Sequence, residues 1–307
     1  MLQYLIILLD ESSVAYCHAD NHVRTHSLIP IDVLRNGIRF AMMENLMIQF
    51  VFPGYELPEE YLTLIDSIDH ISIKPVLEGA DVWVTKQPFE GNVKVPVVLR
   101  LSKEELFAKK DIIADMICRT PRLNIIITDI ETFNDNDFTT YKSMLESLAQ
   151  RVRELAEQGT MPWLNLLTDR MVLTKMNNCG AGETSITLAP DGRFYICPAF
   201  YYEGNGSAGS LVEGIDIANK QLFAIEYAPI CRHCDAYQCR RCVWLNNKLT
   251  HEVNTPGREQ CVVAHLERNT ARALLSDIRK TQPSFLEEQS IPSIDYLDPF
   301  DKRQEWI

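Results

Sequence analysis

The sequence predicts an α/β chain, with a parallel sheet and crossover helices followed by a small cysteine-rich domain. Three observations lead there. Short apolar runs alternate with amphipathic stretches through roughly the first 170 residues; the texture changes near Thr174; and seven of the nine cysteines fall between Cys179 and Cys261. At 307 residues, 46% apolar and 23% charged, the chain is long enough for one large domain and a smaller one.

Taken in order, the elements are a strand at LQYLIILL, a helix at IDVLRNGIRFAMMEN, a strand at LMIQFVF, a helix at EEYLTLIDSI and a strand at HISI. DVWVT and VPVVLRL continue as strands, a helix runs from about Lys103 to Cys118, and LNIIITDI is a strand. A long helix from about Asp137 to Gln158 and a strand at WLNLL complete this part. Such an alternation gives parallel strands in an open sheet or partial barrel, where ligands sit beyond the carboxyl ends of the strands. The apolar stretch Leu2–Leu9 has no basic flank, ends at Asp10 and is too short to span a bilayer, so it reads as a buried strand.

From Lys175 to about Pro256 the chain is rich in Cys, Gly, Asn and Tyr and poor in periodic runs, as expected where metal rather than apolar burial organises a domain. EQCVVAHLERNTARALLSDIRK then has helical spacing and would pack Val262, Leu266, Ala273 and Leu274. The predicted divisions are 1–174, 175–281 and an irregular acidic tail at 282–307 with three prolines. A net charge of −12 argues against nucleic acid as a partner, since phosphate-backbone affinity comes from clustered Lys and Arg. No membrane segment is read. Nine cysteines point to a reducing compartment, so the expected location is the cytoplasm.

The run ICRHCDAYQCRRC places Cys231, Cys234, Cys239 and Cys242 within twelve residues. Thiols this close on a loop can aim at one point and suit a metal centre. The full pattern is Cys179, twelve residues, Gly192, four residues, Cys197, then the four-Cys run with spacings of two, four and two, then Cys261 after eighteen more. APDGRFYICPAF adds a turn at PDG between two strands of a hairpin, with Gly192 supplying the turn conformation. Four-cysteine zinc sites also use CxxC pairs, so spacing alone leaves zinc and iron-sulfur both open. His233, inside the first CxxC, is an alternative donor.

This compound pattern resembles the SPASM domain that follows the catalytic barrel of radical SAM peptide and protein maturases. The inner spacings of the four-Cys run are each one residue shorter than that family's commoner ones. The resemblance implies two auxiliary [4Fe-4S] clusters: a first held by Cys179, Cys197 and Cys242, with an open iron or a further ligand, and a second held by Cys231, Cys234, Cys239 and Cys261. It also implies that the first domain is a radical SAM-like partial (β/α) barrel. In such a barrel a CxxxCxxC loop after the first strand holds the cluster that cleaves S-adenosylmethionine.

Here that loop reads DESSVAYCHADN and holds one cysteine, Cys17. With Cys17 as the third thiol, Asp10 and Val14 stand where the others belong; with Cys17 as the second, Ser13 and Asp20 do. Neither register gives three thiolates, so the barrel is degenerate and S-adenosylmethionine cleavage is not expected. Cys17 reads as a small, partly buried hydrophobe at a strand end. FVFPGYELPEE resembles the family's GGEPL motif, with Gly54 and Glu56 as remnants of its S-adenosylmethionine contacts and Pro53 replacing the first Gly.

Other candidates read as structure. Asp129 and Glu131 follow a strand and stand ahead of a helix, whose start such acids stabilise. His18, His22 and His26 are spaced four apart, but their flanks signal an irregular loop rather than a metal-binding helix. Cys118 reads as a core residue closing an apolar helix.

Over nearly its whole length, including LLDESSVAYCH and FVFPGYELPEEY, the chain is similar to the CXXX-repeat peptide maturase family. The resemblance implies a role in modifying a ribosomally made Cys-repeat peptide. Two alternatives stand: an iron-sulfur partner that binds the peptide or relays electrons to a complete radical SAM enzyme, and a maturase acting through its auxiliary clusters. A zinc-stapled interaction protein is a third. The absent CxxxCxxC leaves the catalytic residues unassigned and favours the partner.

Overall fold

A computed structural model describes residues 2–176, 179–237, 239 and 241–286. In chain order the first elements are β1 (Tyr4–Leu8), α1 (Ile31–Met43), β2 (Met47–Val51), α2 (Glu59–Ile65), β3 (His70–Lys74) and β4 (Val82–Thr85). Then come β5 (Val97–Leu101), α3 (Lys103–Ala108), α4 (Lys110–Met116), β6 (Leu123–Ile127), α5 (Asp135–Glu157) and α6 (Thr168–Val172). The rest are β7 (Ser185–Leu188), β8 (Arg193–Tyr195), α7 (Pro198–Tyr202), β9 (Ser207–Ser210), β10 (Gly214–Ile215), α8 (Val243–Thr250) and α9 (Arg258–Thr281). The mixed α/β class with a parallel sheet, and the carboxyl-terminal helix, are as the sequence predicts. No described helix is long and apolar enough to cross a membrane.

The chain divides into two compact units, residues 1–85 with 180–224 and residues 86–179 with 225–307. Each unit therefore joins a stretch from either side of residue 174. In the first, the strand order is β10-β9-β8-β7-β1-β2-β3-β4. β7, β1, β2, β3 and β4 run parallel, and β8, β9 and β10 continue antiparallel. β1 sits mid-sheet with Leu5, Ile7 and Leu8 wholly buried, which explains its unbroken apolar run. Leu34, Gly37, Ile38 and Ala41 form the buried face of α1. A side chain at Gly37 would stand 2.4 Å from the Leu188 Cδ2 atom, so glycine lets helix and sheet approach.

β7 has two roles. It extends the parallel set beside β1 and is also the first strand of the predicted hairpin, which closes through Ala189 N–H to Arg193 O at 3.0 Å and Gly192 N–H to Ala189 O at 3.0 Å. Gly192 has φ of 78°, where a side chain is strained.

In the second unit β5 and β6 pair in parallel and both are fully buried. Their core is completed by α5 packed on α9, with Phe138, Tyr141, Leu145, Leu148 and Val152 facing Val262, Leu266, Leu274 and Ile278 among the buried residues of the two helices. Ala273 does not share this face. It is exposed, because it lies about 100° round the helix from Leu274. α5 begins at a capping box in which Asn134 accepts from Asn136 and Asp137 N–H groups.

Two further expectations change. The helix predicted from Lys103 to Cys118 is divided at Lys109 (φ −105°, ψ 13°) into α3 and α4. WLNLL makes a single bridge, Leu164 to Leu123, instead of a strand. There the Asn165 side chain takes over the pairing, accepting from Ile125 N–H and donating to Ile125 O, both at 2.8 Å. Thr168 Oγ1 accepts the Leu164 N–H at 2.7 Å. Of the predicted tail, all but residues 282–286 lies outside the described residues.

Replacing Asn165 by Ala leaves two buried backbone groups of Ile125 unpaired and should lower stability by about 2–4 kcal/mol. Gly192→Ala should cost about 1–2 kcal/mol through its left-handed backbone alone. Gly54→Ala, at an exposed position with nothing within 4 Å of an added Cβ, should leave the denaturation midpoint unchanged. Urea unfolding of the three variants checks this ordering.

Candidate metal site

All four cysteines assigned by resemblance to the second cluster belong to the second unit. Cys231 is buried and opens a 3₁₀ turn to His233, closed by Cys234 N–H to Cys231 O at 3.1 Å. Ala236 N–H then points at Cys234 Sγ at 3.4 Å, and Cys239 N–H at Ala236 O at 2.9 Å. These successive turns draw the loop inward. Cys261 is buried in the first turn of α9. His233, the alternative donor within the CxxC, is exposed.

The donor set fits a metal or cluster on electrostatic grounds. Burial pushes the Cys239 thiol well up, and the neighbouring Cys231 and Cys234 sulfurs push it further. Three sulfurs that oppose one another's ionisation become thiolates when a cation compensates them. The Arg170 guanidinium works in that direction on Cys239, and Glu267 against it. An N–H aimed at sulfur, as from Ala236, also favours the thiolate.

The surroundings are a framework of buried ion pairs. Glu267 on α9 accepts from Tyr141 OH on α5 at 2.6 Å and pairs with Arg170 on α6, whose Nε donates to Leu166 O at 3.2 Å. Asp235, directly after Cys234, pairs with Arg268 at 2.8 Å and with Arg272, both on α9. Burial alone would raise the Asp235 carboxyl, but the two guanidinium groups outweigh it and hold it below its ordinary value. Loop and helix are thereby fastened on either side of the cysteines.

The three cysteines assigned to the first cluster are divided between the units: Cys197 lies in the first, Cys179 and Cys242 in the second. Cys197 stands ahead of α7 and Cys242 ahead of α8, while Cys179 is exposed. Among the described residues, no three His, Cys, Asp or Glu side chains are drawn to metal-ligating distance.

In the first unit, the loop where a radical SAM cluster would be held is closed by its own polar groups. Asp10 is wholly buried, accepts from Ser12 N–H at 2.7 Å and accepts from Tyr55 OH at 2.7 Å. Ser13 Oγ accepts Asp10 N–H at 3.0 Å and donates to Val51 O at 2.8 Å, and Val14 N–H reaches Phe52 O at 2.9 Å. Burial, then Asp10, pushes the Tyr55 hydroxyl up, so it stays protonated as the donor. Cys17 is half-buried further along this irregular loop, which also carries His18, His22 and His26 outside any helix. Gly54 and Glu56 line a cavity of about 620 Å³ with Phe52, Tyr55, Leu62 and Lys74.

Asp129 has the structural role expected of it, although for another helix: its Oδ1 accepts Lys103 N–H at 2.8 Å at the start of α3. Glu131 pairs with Lys248 at 2.8 Å. Cys118 corrects its reading. It is exposed in the turn after α4, with Sγ 3.7 Å from Asp115 O, because the helix ends at Met116 before its apolar face reaches Cys118. Sequence reasoning missed Arg170, Glu267 and His265. His265 had a legible signal, since it follows Cys261 by four residues in a helix; its Nε2 lies 3.7 Å from Cys234 Sγ.

No protein-family model and no curated protein matches the chain. Solved structures do. The structure of native anSMEcpe with bound AdoMet and Cp18Cys peptide superposes with a TM-score of 0.57 at 13% identity, covering 91% of this chain and 99% of that one. Native anSMEcpe with bound AdoMet gives 0.54 at 13% identity, covering 91% and 100%. That protein is an anaerobic sulfatase-maturating radical SAM enzyme with a SPASM domain. At this identity the likeness is one of fold, which the chain shares with that protein over 91% of its length.

Glu267→Gln removes the charge facing buried Arg170 and should destabilise the protein by about 3–5 kcal/mol, measured by urea unfolding. Cys261→Ser should lower bound metal measured by mass spectrometry of acid-released ions, whereas Cys118→Ser should leave it at the wild-type value.

Proposed function

We propose that the protein serves in the maturation of a ribosomally synthesised Cys-repeat (CXXX) peptide, as an iron-sulfur SPASM partner that binds the peptide or relays electrons to a complete radical SAM enzyme. The observation that carries this reading is the closed Asp10 loop. A radical SAM enzyme needs three thiolates there; this chain has Cys17 and a buried carboxyl group satisfied by Ser12 and Tyr55. The fold likeness thus goes with a loop whose described carboxyl group is already satisfied.

Cys231, Cys234, Cys239 and Cys261 would hold one [4Fe-4S] cluster, and Cys179, Cys197 and Cys242 the other. Bound clusters would supply one-electron transfer. The chain's own part is to bury Cys231 and Cys261, offset the charge of the set through Arg170 and fasten loop and helix through Asp235 and Glu267. The likeness to a fold that elsewhere binds a Cp18Cys peptide supports a peptide as the ligand. The cavity beside Gly54 and Glu56, with apolar walls and Lys74, gives the first unit room for a bound group.

Anaerobically purified protein should be brown and carry about eight irons per chain. Colourless protein carrying zinc would sink the iron-sulfur reading. Incubated alone with S-adenosylmethionine and a strong reductant it should release no 5′-deoxyadenosine; steady production, followed by liquid chromatography, would show a radical enzyme in its own right.

A further inference from the structure

His265 is 3% exposed and lies on α9 one turn beyond Cys261. Residues four apart share a helix face, so the imidazole and the Cys261 thiol point to the same side. The His265 Nε2 atom stands 3.7 Å from Cys234 Sγ, the sulfur that Ala236 N–H approaches from the loop at 3.4 Å. One sulfur thus lies between a backbone donor from its own loop and a ring nitrogen from the helix that carries another cysteine of the same set.

Two roles are open to a ring nitrogen at that distance. Zinc bonds of about 2.3 Å to sulfur and 2.0 Å to nitrogen put two ligands of one tetrahedral ion about 3.5 Å apart. The same separation suits an N–H···S hydrogen bond. The donor set decides between them: Cys231, Cys234, Cys239 and Cys261 already number four, the full complement of a cubane or of a structural zinc ion. A fifth ligand has no place, whereas a donor to one of the four does.

We propose that His265 donates its Nε2–H to the Cys234 thiolate and so raises the reduction potential of the cluster held by Cys231, Cys234, Cys239 and Cys261. This rests on the iron-sulfur reading above. A reduced cluster carries more negative charge on its sulfurs, and a hydrogen bond to one of them stabilises that form more than the oxidised one.

The test compares anaerobically purified full-length wild type with His265→Leu and His265→Gln by iron content and by dithionite titration followed by electron paramagnetic resonance. All three proteins should hold the same iron. The Leu variant should show one of two reduction steps moved to a more negative potential with the other unmoved, and Gln, which keeps an N–H donor, should lie nearer wild type. An unchanged potential in the Leu variant would overturn the proposal, as would loss of iron from both variants, which would make His265 a ligand. If His265→Leu fails to fold, His265→Ala is read against His265→Gln in the same way. Wild-type protein without iron would instead defeat the iron-sulfur reading itself, before any variant is compared.

Discussion

Glu267 is the carboxylate on which the second unit depends. It sits on α9, receives the Tyr141 hydroxyl from α5 and pairs with Arg170 from α6, so one side chain ties together three helices. Buried charges are costly unless paired and hydrogen-bonded, and here pairing fixes α9, the helix that bears Cys261, against α5 and α6. The same group enters the electrostatics of Cys239, where Arg170 favours ionisation and Glu267 resists it. Structure and chemistry thus share one ion pair.

A parallel logic governs the first unit, with the opposite outcome. The carboxyl end of β1 is where this fold puts reactive groups, yet Asp10 turns inward and is satisfied by Ser12 and Tyr55. Ser13 and Val14 bind the β2 end of the sheet through Val51 O and Phe52 O. These polar groups of the loop are satisfied within it or by the end of β2 and Tyr55. What the fold leaves available lies alongside, in the cavity lined by Gly54, Glu56, Tyr55 and Lys74.

The cysteine run shows how a loop with little apolar content is held. Among its described residues, the run from Cys231 to Cys239 has a 3₁₀ turn and a few backbone hydrogen bonds of its own. Its anchorage comes from Asp235, paired to Arg268 and Arg272 on the helix that also bears Cys261 and His265. A metal closing the same thiols would add a further tie between loop and helix. The ion pairs act here on the same two segments that a metal would join.

Much of the fold was legible because apolar periodicity and turn chemistry are local. β1 to β6, the long α5 and α9, and the hairpin turning at Gly192 all answer to runs of a few residues. The cysteine spacing, the single Cys17 and the acidic balance likewise belong to the sequence alone. Tertiary structure decided the rest, because it depends on partners far apart in the chain. Asn165 ends a strand by bonding to Ile125 forty residues away, and Ala273 faces solvent because its neighbours, not it, meet α5. Cys118 is exposed where α4 stops short. Glu267 meets Tyr141 across 126 positions, and no local pattern announces such a pair. His265 lies between the two cases: its spacing from Cys261 was written in the helix, but only folding brought Cys234 to its ring.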